Sequence, residues 1–305
     1  MKIIERILID EKLNMNSNTF IFDIETTGLS PKFCKVILIG ILYNCQDKTV
    51  IKQFFAENED EEKELLMAFV DSIKCFKRHV TYNGLSFDIG FINYRLKKHN
   101  IDFNLDKEDD FDIFRFIKPF KSPLGLEDCS LTSVETCFDI NREDVIDGGE
   151  SVKLYKEFVK IKDHKLMDTI LLHNYEDIYN LSKLVNIKDL VGEKLDLIEL
   201  SGSTYNLKIF PLNYKINAKK LCMNYFIFTG EDNNISIYND NYSIICQDNN
   251  ISLEININKG IDRDKNNILF YNLSKIIPLK FNDNILDANI YSLCNFIMKK
   301  ELCNI

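Results

Sequence analysis

Apolar and polar positions fall into two kinds of pattern along the chain. Between residues 19 and 55 three apolar, β-favouring runs follow one another closely: Thr19–Glu25, Lys35–Tyr43 and Thr49–Phe55. Val, Ile, Phe and Thr fill them, side chains that suit a pleated surface. Asn44–Lys48 carries turn residues, so the second and third runs read as a hairpin, and the first, apolar on both faces, is expected at the centre of a sheet. Residues 1–18 read as a lead-in that is polar by Asn14–Asn18.

From residue 59 the period changes. Leu65, Leu66, Phe69, Val70, Ile73 and Phe76 recur at helical spacing behind the acidic stretch Glu59–Glu64, which favours a helix start and is expected to face solvent. A short strand over His79–Tyr82 passes through Asn83-Gly84 into a helix over Phe87–His99, and Phe111–Phe114 reads as a further strand. Helical patterns follow over Leu131–Phe138, Ser151–Val159 and His164–Val185, the second entered through the turn Asp147-Gly148-Gly149-Glu150-Ser151. Beyond about residue 190 the period drops to two. Ile235 and Ile237, then Ile251, Leu253, Ile255 and Ile257, alternate with Ser, Glu and Asn, the mark of half-buried antiparallel strands. Glu231–Asn234 and Asp248–Asn250 supply the turns, and Leu286–Lys300 returns to helix. The expected organisation is an α/β domain over 1–190, with a mixed sheet flanked by helices, followed by a smaller β-rich module over 195–305.

Composition narrows the class. At 45% hydrophobic and 28% charged residues the chain is ordinary for a soluble globular protein. No apolar run approaches the roughly 18–20 residues of a membrane helix, and Met1–Arg6 lacks a signal peptide's apolar core, so a cytoplasmic protein with no membrane partner is expected. Nine scattered cysteines without a Cys-x-x-Cys pair read as reduced thiols, not as disulfides or a zinc site. Nearly all of the net charge of −9 comes from residues 1–189, where 34 acidic residues stand against 26 basic ones. That excludes a protein that grips nucleic acid by bulk charge, but not a nuclease whose acids hold metal.

The chemistry centres on Phe22-Asp23-Ile24-Glu25-Thr26-Thr27-Gly28-Leu29. Two apart in a strand, Asp23 and Glu25 project from one face, and two like charges at the end of a buried strand call for divalent cations, magnesium or manganese by the hardness of the oxygens. Gly28 marks a sharp turn with positive φ. Asp88 lies at a strand-to-helix passage, where a carboxylate is also a common helix cap. His173 and Asp177, four apart on a helix, share one face, a spacing that surface pairs also use.

Taken together, Asp23-x-Glu25, Asn83-x4-Asp88 and His173-x3-Asp177 resemble the three motifs of the DEDD 3′-to-5′ exonucleases, the DnaQ-like branch of the ribonuclease H superfamily, over residues 19–187. Tyr82-Asn83-Gly84-x-x-Phe87-Asp88, Asp112-Ile113-Phe114-Arg115, the Gly148-Gly149-Glu150 loop before a Tyr155-bearing helix, and His173-Asn174-x-x-Asp177-Ile178 look most like the YprB-type ribonuclease H-like domain. The resemblance implies a ribonuclease H-like mixed sheet, a three-stranded antiparallel meander plus parallel strands. It also implies two divalent cations, Mg²⁺ or Mn²⁺, about 4 Å apart on Asp23, Glu25, Asp88 and Asp177. His173 would take the proton from the attacking water, and Tyr175, off that face, would not substitute. Thr26, Gly28 and Leu29 would line the terminal nucleotide, Asn83 and Phe87 would support the second motif, and Arg115, with Lys118 and Lys121, would meet phosphates. The implied substrate is DNA or RNA with a free 3′ end. Endonucleolytic or structure-selective cutting on the same fold, and a catalytically silent nucleic-acid-binding module, are the alternatives. No motif names a protein partner.

Overall fold

A computed structural model describes residues 1–8, 13–144, 146–202, 206–230 and 235–303. The expected turn at Glu231–Asn234 lies outside the described residues. The chain divides into two compact units, Met1–Leu190 and Val191–Ile305.

The first unit is built on a six-stranded sheet. Its strands are β1 (Lys2–Leu8), β2 (Thr19–Thr26), β3 (Val36–Cys45), β4 (Lys48–Phe55), β5 (Arg78–Thr81) and β6 (Asp110–Asp112), in the spatial order β1-β4-β3-β2-β5-β6. β2, β3 and β4 form an antiparallel meander, and β5 and β6 add in parallel on the other side of β2. β2 is therefore a central strand, as its apolar pattern on both faces requires. The lead-in expected over residues 1–18 is instead partly strand: β1 pairs antiparallel with β4 at the sheet edge.

Seven helices are described with this unit: α1 (Glu62–Ile73), α2 (Asp88–Lys98), α3 (Ile113–Ile117), α4 (Leu131–Cys137), α5 (Gly148–Ile161), α6 (His164–Lys183) and α7 (Ile187–Lys194), which runs across the boundary between units. The strand expected over Phe111–Phe114 stops at Asp112, whose side chain accepts the Arg115 N–H and caps α3. The acidic start of α1 is likewise not all solvated, since Glu62 is 1% exposed.

The pleat sorts β2 onto two cores. Phe20, Phe22 and Ile24 pack with Ile39, Ile41 and Phe54 against Leu65, Leu66 and Phe69 of α1 and Ile89, Phe91 and Ile92 of α2. On the opposite face, Ile37, Leu38 and Phe55 pack against Tyr155 and Phe158 of α5 and Met167, Ile170 and Leu171 of α6. Asp23 and Glu25, out of step with Phe22 and Ile24, belong to the α6 face.

The second unit holds a six-stranded antiparallel sheet, β7 (Ile198–Ser201), β8 (Asn206–Ile216), β9 (Lys220–Thr229), β10 (Ser236–Tyr238), β11 (Tyr242–Gln247) and β12 (Asn250–Asn256), in the order β10-β11-β12-β9-β8-β7. Four shorter strands, β13 (Asn258–Ile261), β14 (Asn267–Asn272), β15 (Ile276–Phe281) and β16 (Asn284–Ile285), form a second sheet, and α8 (Asp287–Leu302) closes the chain. Alternate residues of β9 and β12, among them Leu221, Met223, Leu253 and Ile255, share one core with Ile290, Leu293 and Ile297 of α8. The mixed α/β sheet followed by β-rich sheets is the fold class that the periodicity predicts. All nine cysteines are free thiols. Among the described residues no helix is long and apolar enough to cross a membrane.

Candidate active site

Three segments of the first unit bring their acids to one cleft. β2 supplies Asp23 and Glu25, and its pairing with β3 shifts register at Glu25/Thr26, just before the last pair of the ladder, Thr26 with Val36. The turn that follows is tied by Thr26, whose Oγ1 donates to Gly28 O at 2.8 Å. Gly28 has φ +156°, and a Cβ there would stand 2.9 Å from Cys34 Sγ, so a larger residue would reshape the turn. The turn carries Leu29 outward, 84% exposed.

Asp88 is the first residue of α2 and is buried. Ahead of it, Asn83 adopts φ +64°, a left-handed conformation that Asn tolerates. Asp112 stabilises that passage: its Oδ1 accepts the Asn83 N–H at 2.8 Å and its Oδ2 the Leu85 N–H at 3.3 Å. Phe87 packs on Phe91 with ring centroids 5.4 Å apart. From α6, His173 Nε2 lies 3.5 Å from Glu25 Oε1 and 3.6 Å from Asp177 Oδ2. Ligand atoms of Glu25, His173 and Asp177 all lie within 4.8 Å of one another, a spacing that can hold a metal ion.

The cleft has a volume of about 970 Å³. Asp23, Glu25, Thr26, Gly28, Leu29, Asn83, Phe87, His173 and Asp177 line it, and it continues past Tyr82, Phe114, Ser130 and the Gly148-Gly149 start of α5. Asp88 is buried and is not part of this lining, but it is close enough to Asp23 to disfavour its charge. Arg115 stands apart from the cleft, its side chain 59% exposed and its Nε 3.8 Å from Asp112 Oδ2.

Sequence reading overlooked the residues that hold His173, Asp177 and Asp23. Glu176, next to Asp177 on α6, accepts the backbone N–H groups of Glu143 and Asp144, pinning their loop at 2.7–3.1 Å. From that loop Asp144 Oδ2 meets His173 Nδ1 at 2.5 Å. Arg142 donates from Nη2 to Asp177 Oδ1 at 2.7 Å, and from Nε and Nη2 to Glu135 at 2.9 and 2.8 Å. Asn174 Nδ2 donates to Asp23 Oδ2 at 2.9 Å. The one available signal was Glu135, an acid beside Val134 on the inward face of a predicted helix, which demands a cation.

Burial dominates the electrostatics. It pushes Glu25 and Asp88 up to about 7, and the negative charge of Asp177 adds to the effect on Glu25 while His173 opposes it. Asp23 is raised well above the carboxylate range by burial and by Asp177, Asp88 and Glu25, against the pull of the Asn174 hydrogen bond. Asp177 is raised by burial too, although His173 and Arg142 oppose this. Burial alone would lower His173, but the surrounding Asp177, Glu25 and Asp144 outweigh it and raise its pKa. Among the described residues no lysine or arginine ion-pairs with Asp23, Glu25 or Asp88. Such a cluster of hard oxygen donors, short of positive charge, suits a divalent cation.

A sequence model of the RNase_H superfamily (RNase_H_2) matches residues 20–188, more than half of the chain. The chain belongs to the RNase H superfamily. It is 33% identical to the DNA polymerase III PolC-type of Ureaplasma parvum serovar 3 over a segment covering 37% of this chain and 9% of that protein, so it spans less than a tenth of that relative's length. Among solved structures, the family B DNA polymerase of the hyperthermophilic archaeon Pyrobaculum calidifontis overlays with a TM-score of 0.46 at 18% identity, covering 57% of this chain and 25% of that one. A structure of exonuclease I overlays with a TM-score of 0.32 at 14% identity, covering 67% of this chain and 54% of the other.

Proposed function

We propose that residues 1–190 form a metal-dependent 3′-to-5′ exonuclease domain that hydrolyses phosphodiester bonds of DNA or RNA, followed by a separate β-rich module. The observation that carries this reading is the meeting of Glu25 and Asp177 with His173 in a cleft that Asp23 also lines, with Asp88 buried near Asp23 and burial suppressing the ionisation of all four acids. Superfamily membership and the PolC-type relative, a DNA polymerase by name, support a nucleic-acid substrate.

The donor set fits two divalent cations, Mg²⁺ or Mn²⁺, held by Asp23, Glu25, Asp88 and Asp177. When bound, the cations would supply Lewis acidity against the negative charge that develops on the phosphate oxygens. The remaining work falls to the chain. Asp144 accepts from His173 Nδ1–H and leaves Nε2 in the cleft to take a proton from the attacking water. Leu29, exposed on the rim, stacks on the terminal base, and Thr26 and Gly28 present their backbone to its sugar. Asn83 and Phe87 form the wall beside Asp88. Arg115, outside the cleft, meets a phosphate further along the strand.

The test is hydrolysis of 5′-labelled linear oligonucleotides, DNA and RNA, with Mg²⁺, Mn²⁺ or EDTA, beside a circular single strand. A metal-dependent ladder shortening from the 3′ end, with the circle intact and activity lost in Asp23→Ala and His173→Ala, is expected. Cutting of the circle would replace the exonuclease by an endonuclease. Binding without any cleavage would remove the enzyme.

A further inference from the structure

Strand register places Asp23 of β2, Gly40 of β3 and Gln53 of β4 side by side in one row across the sheet, on the face that α6 covers. Asn174 of α6 lies across this row. Its Nδ2 donates to Asp23 Oδ2 at 2.9 Å and to the Asp23 carbonyl at 3.3 Å, and its Oδ1 accepts from Gln53 Nε2 at 3.0 Å. Gln53 Nε2 is tied in turn to Leu171 O at 2.8 Å, and Asn174 and Gln53 are both fully buried. The amide passes over the one position in the row without a side chain. A Cβ on Gly40 would stand 2.2 Å from Asn174 Oδ1 and 3.0 Å from its Nδ2.

We propose that Asn174 is a positioning residue that fixes the orientation of the Asp23 carboxylate for cation binding, and that Gly40 is the gap through which it reaches. This rests on the reading of Asp23 as a metal ligand. A carboxylate at a strand end can rotate about its last bond, so one of its oxygens must be tied down if the other is to meet a cation in a fixed place. A neutral amide does this without adding charge. A lysine or arginine here would pair with Asp23, as Arg142 pairs with Asp177, and would compete with the cation. Gln53 fixes the amide's own orientation by occupying its oxygen, which leaves the nitrogen for Asp23.

Mn²⁺ binding followed by electron paramagnetic resonance, together with oligonucleotide turnover, tests this on Asn174→Ala, Gly40→Ala and the double variant. Asn174→Ala is expected to weaken Mn²⁺ binding about 10-fold or more and to lower kcat while KM for the oligonucleotide stays within about twofold. Gly40→Ala removes no buried group, yet it is expected to reproduce that loss by displacing the amide. The double variant is expected to be no worse than Asn174→Ala, because the added methyl then has room. Should Asn174→Ala fail to fold, Gly40→Ala reports the same displacement. Wild-type Mn²⁺ affinity and kcat in either folded single variant, or additive losses in the double one, overturn the proposal. If the wild-type protein itself binds no Mn²⁺, the metal-site reading fails first and this proposal fails with it.

Discussion

Glu62 and Glu25 are carboxylates of the same unit, buried to 1% and 6% exposure, and their surroundings shift them in opposite directions. Burial would raise Glu62, but hydrogen bonds from both Arg95 Nε and Nη2, from His99 and from the Val36 N–H outweigh it and keep the acid below its usual range. Glu25 has no such arginine, and burial lifts it to about 7. At Glu62 the chain supplies its own cation, and the result is a permanent link between α1 and α2. At the cleft no lysine or arginine among the described residues pairs with Glu25. Asp177 stands between the two cases, since Arg142 answers part of its charge. A buried acid marks function by what the chain fails to pair with it, not by its burial.

The largest effects should separate these two regions. Asp23→Ala, Asp88→Ala and Asp177→Ala are each expected to cut oligonucleotide hydrolysis by about 10³-fold or more while the metal-free protein stays folded, with Asp88→Ala at least as stable as the wild type at pH 8, as steady-state kinetics beside calorimetry would show. Arg95→Ala should do the reverse. It leaves buried Glu62 with only His99 and the Val36 N–H, at a cost of about 3 kcal/mol in denaturant unfolding, and turnover per folded molecule should stay unchanged. Equal activity losses from both kinds of substitution would erase the distinction.

The next effect is on stability against pH. Glu25 and Asp88 titrate near 7 when folded but at about 4 when unfolded, so between these values the folded state binds more protons. Their contribution to stability is therefore complete below about pH 4 and is lost as pH rises through about 7. His79, buried and pushed down to about 4, acts oppositely, its stabilisation growing from about pH 4 to 6.5. The metal-free protein should accordingly lose melting temperature between pH 6 and 8, above the range of His79. Saturating Mg²⁺ should restore it by on the order of 5 °C at pH 8 and by much less at pH 6. A Mg²⁺ effect that does not vary with pH would detach the cation from these acids. The smallest effect belongs to Arg115, exposed and only loosely paired: Arg115→Ala should change unfolding free energy by less than about 0.5 kcal/mol and the oligonucleotide KM by at most a few-fold.

What the sequence made legible follows from periodicity. The β2–β4 meander, α2, α6 and the alternating strands of the second unit all declare a repeat of 2 or 3.6 residues, and the same repeats place Asp23 beside Glu25 and His173 beside Asp177. β1 stayed hidden because Lys2–Leu8 is an edge strand with half its residues at the surface, so its apolar positions do not alternate cleanly. The end of β6 was misplaced because Asp112 stops the strand by capping α3, an event of one side chain and one backbone N–H. Glu62 reads as a solvated helix start because its partner Arg95 is 33 residues away in the sequence. Arg142 and Asp144 sit in an aperiodic loop, and only the fold brings them to α6.

The most direct test of the uncompensated acids is calorimetric titration of the metal-free protein with Mn²⁺ at pH 7, in two buffers of different ionisation enthalpy, for wild type and Asp88→Asn. On binding, Glu25 and Asp88, each titrating near 7, are expected to release about one proton between them; Asp23, raised further, adds to that release, and the variant releases fewer. No Mn²⁺ binding, or binding that releases no protons, would contradict the assignment of these carboxylates to a cation site.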